Sequence, residues 1–142
     1  MEDGAARAPI EREPSVQADP PPGATASGST PDVRPTAATA SLLAAAEAAT
    51  ERQSYTDAIS YLERAVRIEP RNAQLWIELS NAHLASGNTV AANQHVRKAI
   101  ALAGEDPELT RHAWLQLADV REAEGNLSEA RAIRRRYASM RG

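Results

Sequence analysis

The chain has 142 residues, a formal net charge of −3 and no cysteine; this allows one domain of ordinary size and excludes disulfides, zinc–thiolate sites and thiol catalysis. So small a net charge gives no sign of the clustered positive field that holds nucleic acid. No stretch approaches the roughly 20 apolar residues of a membrane span, and the acidic opening MEDGAARAPIEREP has no apolar core, unlike a secretory signal or a mitochondrial transit peptide.

Residues 1–38 come first. They hold seven of the nine prolines, and Ile10, Val16 and Val33 stand alone among large apolar residues. Such a segment buries too little surface to offset its chain entropy of about 1–2 kcal/mol per residue. It is expected to be a disordered, proline-rich arm, reaching on the order of 110 Å if stretched at about 3.1 Å per residue. A tether and an inert tail both fit that composition.

From Ser41 onward apolar residues recur three and four apart, in segments rich in Ala, Leu, Glu and Arg. The pattern predicts six helices, at about 39–52, 55–68, 73–86, 89–103, 107–124 and 127–139. The breaks carry matching chemistry. Gly87-Asn88 and Gly125-Asn126 each put a glycine at a helix end and an asparagine at the next start. Ser54 with Asp57 and Asn126 with Glu129 resemble capping boxes, and Asp106-Pro107 sets a cap before a first-turn proline.

The helical region repeats itself. Trp76, Leu79, Gly87 and Ala92 recur 38 residues later as Trp114, Leu117, Gly125 and Ala130. Ala58, Leu62 and Ala65 precede Ala92, Val96 and Ala99 by 34. The four additional residues of the longer period are expected in the loop around Gly104-Glu105-Asp106-Pro107.

These residues resemble the tetratricopeptide repeat family. Its pattern has a 34-residue period, Trp and Leu three apart, a mid-repeat Gly, small Ala residues in the second helix and a closing Pro, here Pro70. The resemblance implies an all-α fold: an α-solenoid of three helix-turn-helix repeats, at about 39–72, 73–106 and 107–142, after the arm. Repeat one is the degenerate copy, with Leu42 for Trp and Gln53 for Gly. The usual first-helix aromatic is replaced by Ala49, His83 and Arg121, which implies looser packing between helices. Arg134 stands where Leu62 and Val96 would face a following repeat, as a polar cap. LERAVRIEPRNAQLW and the Pro/Ser-rich arm are further similar to small bacterial repeat proteins that carry a lipoprotein signal. With Met1 as the start the chain is expected in the cytoplasm; with a removed signal, the resemblance implies a periplasmic, outer-membrane-tethered protein.

No spacing supports chemistry. His83, His95 and His112 match no zinc motif, and no phosphate loop or nucleophile elbow occurs. The chain is therefore read as no enzyme, with no metal, cofactor or small-molecule substrate, and as a monomeric scaffold for a protein or peptide. The resemblance places the groove on the first helices. Offsets one, five and eight after the Trp position give Leu43, Glu47 and Thr50, then Ile77, Asn81 and Leu84, then Leu115, Asp119 and Glu122, because such steps keep to one helical face. An apolar row beside an acidic one implies an apolar or basic-apolar segment as partner. A solvated inner face that has drifted acidic is the alternative. A second candidate is the basic end, Arg131, Arg134, Arg135, Arg136 and Arg141. It would meet an anionic surface, lipid or nucleic acid, or simply cap the array and suit a helix C-terminus. A structural spacer in a larger assembly is the third reading.

Overall fold

The computed structural model describes residues 36–140. Among them are six helices and no strand: α1 (Ala37–Glu51), α2 (Tyr55–Ile68), α3 (Ala73–Ala85), α4 (Thr89–Ala103), α5 (Pro107–Ala123) and α6 (Leu127–Ala138). None is long and apolar enough to cross a membrane. The expected arm lies, apart from its last residues, outside the described part.

Side-chain caps set most of the starts. The oxygens of Thr36, Asn72, Asn88, Asp106 and Asn126 accept backbone N–H groups of the first turns of α1, α3, α4, α5 and α6. Each such cap stabilises by about 0.5–2 kcal/mol. Ser54 departs from the expected box: its hydroxyl donates to the Asp57 carboxylate at 2.8 Å, and no side-chain cap reaches the backbone of α2.

The ends of α1, α3 and α5 share one turn. The Asn88 N–H reaches back to the His83 carbonyl and the Gly87 N–H to that of Leu84, with Gly87 at φ +89°. Asn126 and Gly125 repeat this on Arg121 and Glu122. In the first repeat the same bonds run from Ser54 to Ala49 and from Gln53 to Thr50. Gln53 therefore adopts φ +62°, where the later repeats place glycine.

The four additional residues of the third repeat do not lengthen a loop. They lie in α5, which has 17 residues against 13 in α3. Asp106 caps and Pro107 pre-sets the first turn, so Glu108, Leu109 and Thr110 continue as helix.

Each helix packs on its chain neighbour, and α3 also touches α5. The core runs through the stack in joined clusters. Ala46 and Ala49 of α1, Leu62 and Val66 of α2, and Leu75 and Leu79 of α3 form the first. Val96 of α4, Leu117 and Val120 of α5, and Ile133 and Tyr137 of α6 form another. Ile77, Ala99 and Ala113 join them. Full burial of a side chain such as Leu75 or Leu79 contributes about 1.5–3 kcal/mol. Ala58, Ala92 and Ala130 are at most 1% exposed, and their small size lets the paired helices approach. The two tryptophans are only half-buried. The Trp76 indole N–H donates to the Pro70 carbonyl at 2.8 Å, and Trp114 stacks on Tyr137 with centroids 5.2 Å apart.

Two polar links fix the register. The buried Ser80 hydroxyl of α3 donates to the Ala92 carbonyl of α4 and accepts from the Gln116 amide of α5. The Glu69 carboxylate, just after α2, accepts from the Thr36 N–H, the Thr39 hydroxyl and the Asn72 amide. Burial pushes the Glu69 carboxyl upward, but these hydrogen bonds outweigh it and hold it below its usual value.

Candidate functional site: the face of the first helices

Helix steps of three and four put Leu43, Glu47 and Thr50 on one stripe of α1. Leu43 is half-buried against the first core cluster. Glu47 and Thr50 are exposed, and the Thr50 hydroxyl donates back to the Ala46 carbonyl. On α3, Asn81 is exposed and Leu84 half-buried. On α5, Leu115 is half-buried against the second cluster.

Ile77 differs from the expectation. It is 7% exposed and packed with Ala99 of α4 and Ala113 of α5, so it lies in the core and leaves a gap in the anticipated apolar row. The reason is tertiary: α3 is flanked by helices on several sides, and the stripe that would be open in an isolated pair is covered by α5.

Asp119 and Glu122 are exposed but not available as an acidic row. One guanidinium nitrogen of Arg134 lies 2.7 Å from a carboxylate oxygen of each. Those carboxylates hold the Arg134 guanidinium above its usual value. The acidic row and the basic cluster, derived separately from the sequence, thus meet in a single contact. Of the remaining arginines, Arg131, Arg135 and Arg136 are exposed. Arg136 lies over the Tyr137 ring at 5.4 Å. Arg141 lies outside the described residues.

The offsets missed a carboxylate at the centre of this face. Glu78 of α3 is half-buried and accepts from the Gln74 amide at 2.9 Å. Burial pushes its carboxyl up; Gln74 opposes the shift, Glu47 of α1 adds to it by like charge, and His112 of α5 counters it. Glu78 therefore lies within electrostatic reach of both other first helices. His112 contacts Glu108 at 3.1 Å, one turn earlier. The signal was present in the sequence: Gln74, Glu78 and Asn81 form a stripe of steps four and three, as do Glu108, His112, Leu115 and Asp119.

The positions of the missing first-helix aromatic resolve in three ways. Ala49 is fully buried. Arg121 has a 13% exposed side chain that contacts Glu124 at 2.9 Å, Glu129 at 3.1 Å and Asn93 at 3.2 Å. Burial works against its charge, but Glu129 and Glu124 outweigh it and raise the guanidinium further. His83 stacks on His95 of α4. Among the described residues no three metal-ligating side chains converge.

Residues 49–111 match the family model described as the tetratricopeptide repeat. Among solved structures, the globular C-terminal domain of P. aeruginosa LpoP is similar, with 28% sequence identity and a TM-score of 0.69; the match covers 74% of this chain and 99% of that one. No curated protein matches the chain. The six described helices form the all-α, tetratricopeptide-like array of helix pairs that the sequence resemblance implied, and the repeat model matches its residues 49–111.

Proposed function

We propose that this tetratricopeptide-type array is a protein-binding scaffold that takes a basic-apolar polypeptide segment on the face of α1, α3 and α5. One observation carries the chemistry of the partner. Glu78 feels the like charge of Glu47 and is half-buried, and its hydrogen-bond donor is a neutral amide, Gln74. A lysine or arginine from the partner would relieve that repulsion. The half-buried Leu43, Leu84 and Leu115 supply apolar surface beside it, at roughly 25 cal/mol per Å² covered. Exposed charge pairs add only about 0–1 kcal/mol each, so the acids select the partner more than they hold it. A short segment would bind modestly, and more weakly at high salt.

The test is selection of peptides from a random library on the full-length chain, followed by titration of the selected sequences. Recovered peptides are expected to pair a basic residue with apolar ones. Glu47→Lys combined with Asn81→Lys, both at exposed positions, is expected to weaken them several-fold without lowering thermal stability. Acidic consensus peptides, or binding indifferent to the double substitution, would move the site off this face.

A further inference from the structure

The middle helix pair carries a column of rings. His83 of α3 and His95 of α4 stack with centroids 5.0 Å apart and 29° between their planes. His95 lies 5.5 Å from Trp76, and the Lys98 ammonium sits 5.8 Å from the centroid of that indole. Both nitrogens of His83 are shut off from solvent with no hydrogen-bond partner in the structure. A neutral imidazole leaves one donor and one acceptor unmade there. An imidazolium would leave two donors and a charge, which is far costlier in a buried site.

The surroundings offer the charge little help. From α2, Glu63 faces both rings and favours protonation, but it is exposed and its field is weakened by solvent. From α4, the Lys98 ammonium over Trp76 adds a positive charge beside the column, of the same sign as an imidazolium. From α5, Arg121 is committed to Asn93, Glu124 and Glu129. On α3 itself the neighbours of His83 in the helix are apolar or small: Leu79, Ser80, Ala82 and Leu84.

We propose that the His83–His95 stack is a proton-operated joint of the middle repeat, holding α3 to α4 while both rings are neutral and loosening that pair when a proton is added. The electrostatics agree in sign. Burial, and for His95 also the neighbouring His83, push both imidazoles below their ordinary value, against the pull of Glu63. A histidine lowered in this way contributes stability that is fully present above its unfolded value of about 6.5 and is lost as pH falls toward its folded value. Of the shifted carboxyls, Glu69 acts below its ordinary value and in the same direction, while Glu78, raised above its ordinary value, acts in the opposite one. Over roughly pH 5–7.5 a loss of stability toward the acid end therefore has the sign of the two imidazoles and is opposite to that of Glu78.

The experiment is thermal unfolding of the full chain across that interval at constant ionic strength, for wild type, His83→Phe and His112→Gln. The wild-type midpoint is expected to fall by several degrees toward the acid end. His83→Phe keeps a stacking ring without a proton site and should flatten most of that dependence. His112→Gln, which leaves the stack intact, should keep the larger part of that fall. Imidazole resonances of the wild-type protein give an independent readout that needs no variant to fold: His83 and His95 should titrate below about 6.5. A His83→Phe variant with the wild-type pH slope, or ring signals of both histidines titrating at or above the free value, would overturn the proposal.

Discussion

The Arg134 guanidinium of α6 donates to the Asp119 carboxylate of α5 at 2.7 Å. The same nitrogen reaches Glu122, also at 2.7 Å. Arg134 stands at the repeat position that Leu62 and Val96 fill with buried apolar side chains. Among the described residues no further helix covers that position, and the charged side chain turns back onto its own repeat.

Arg134→Gln should release two carboxylates without unfolding the array. The side chains are 39% to 52% exposed, so stability should drop by only about 0–1 kcal/mol. Affinity for a basic-apolar peptide should rise where these acids contribute to the binding face. Urea unfolding and calorimetric titration of the same variant read the two effects separately. Arg131→Gln with Arg135→Gln, which frees no acid, should change neither.

Ile77 should behave as a core residue. Its packing with Ala99 and Ala113 predicts a loss of about 2–5 kcal/mol for Ile77→Ala. Ile77→Arg should unfold the domain or reduce it to a partly folded state, because a charge would be buried without a partner. Asn81→Ala, one turn further along α3 but exposed, should stay within about 0.5 kcal/mol of wild type. Denaturant midpoints at equal m-values decide this, and an Ile77→Ala protein as stable as Asn81→Ala would contradict the packing described.

Gln53→Gly should stabilise the protein. Gln53 holds φ +62° in a turn that Gly87 and Gly125 make at +89°. For a side chain other than glycine, left-handed backbone costs about 1–2 kcal/mol, and the entropy of an added glycine returns part of that. A gain of about 0.5–1 kcal/mol is expected. The converse, Gly87→Gln, should lose a similar amount, although a Cβ there would meet nothing within 4 Å. The effect is conformational, so it should appear in chemical denaturation with no change in binding.

The helices were legible because their causes are local. Apolar residues at steps of three and four, a side-chain cap before most first turns and glycine after three of the last turns act within a few residues. The six predicted segments agree with the six observed helices to within about two residues at each end, a margin ordinary for helix boundaries. The four additional residues of the third repeat were misread. Gly104 and Pro107 look like loop formers, yet Pro107 is the first residue of α5, a position where its missing N–H leaves no bond unmade.

The binding face was legible only in part. Leu43, Glu47, Asn81 and Leu115 could be placed on their own helices from spacing alone. Whether a stripe stays open depends on what packs over it, and one helix carries no record of that. Ile77 and Asn81 are four residues apart on α3; α5 covers the first and leaves the second in solvent.

By itself, then, the sequence determined the repeat, its period and the helix pairs, since hydrogen bonding, capping and periodicity are short-range. The tertiary structure alone decided the closing of Asp119 and Glu122 by Arg134, the grouping of Glu47, Glu78 and His112 across three helices, and the stacking of His83 on His95. Those relations join residues 12 to 34 positions apart, and burial and charge at such separations follow from the angle and depth at which helices stack.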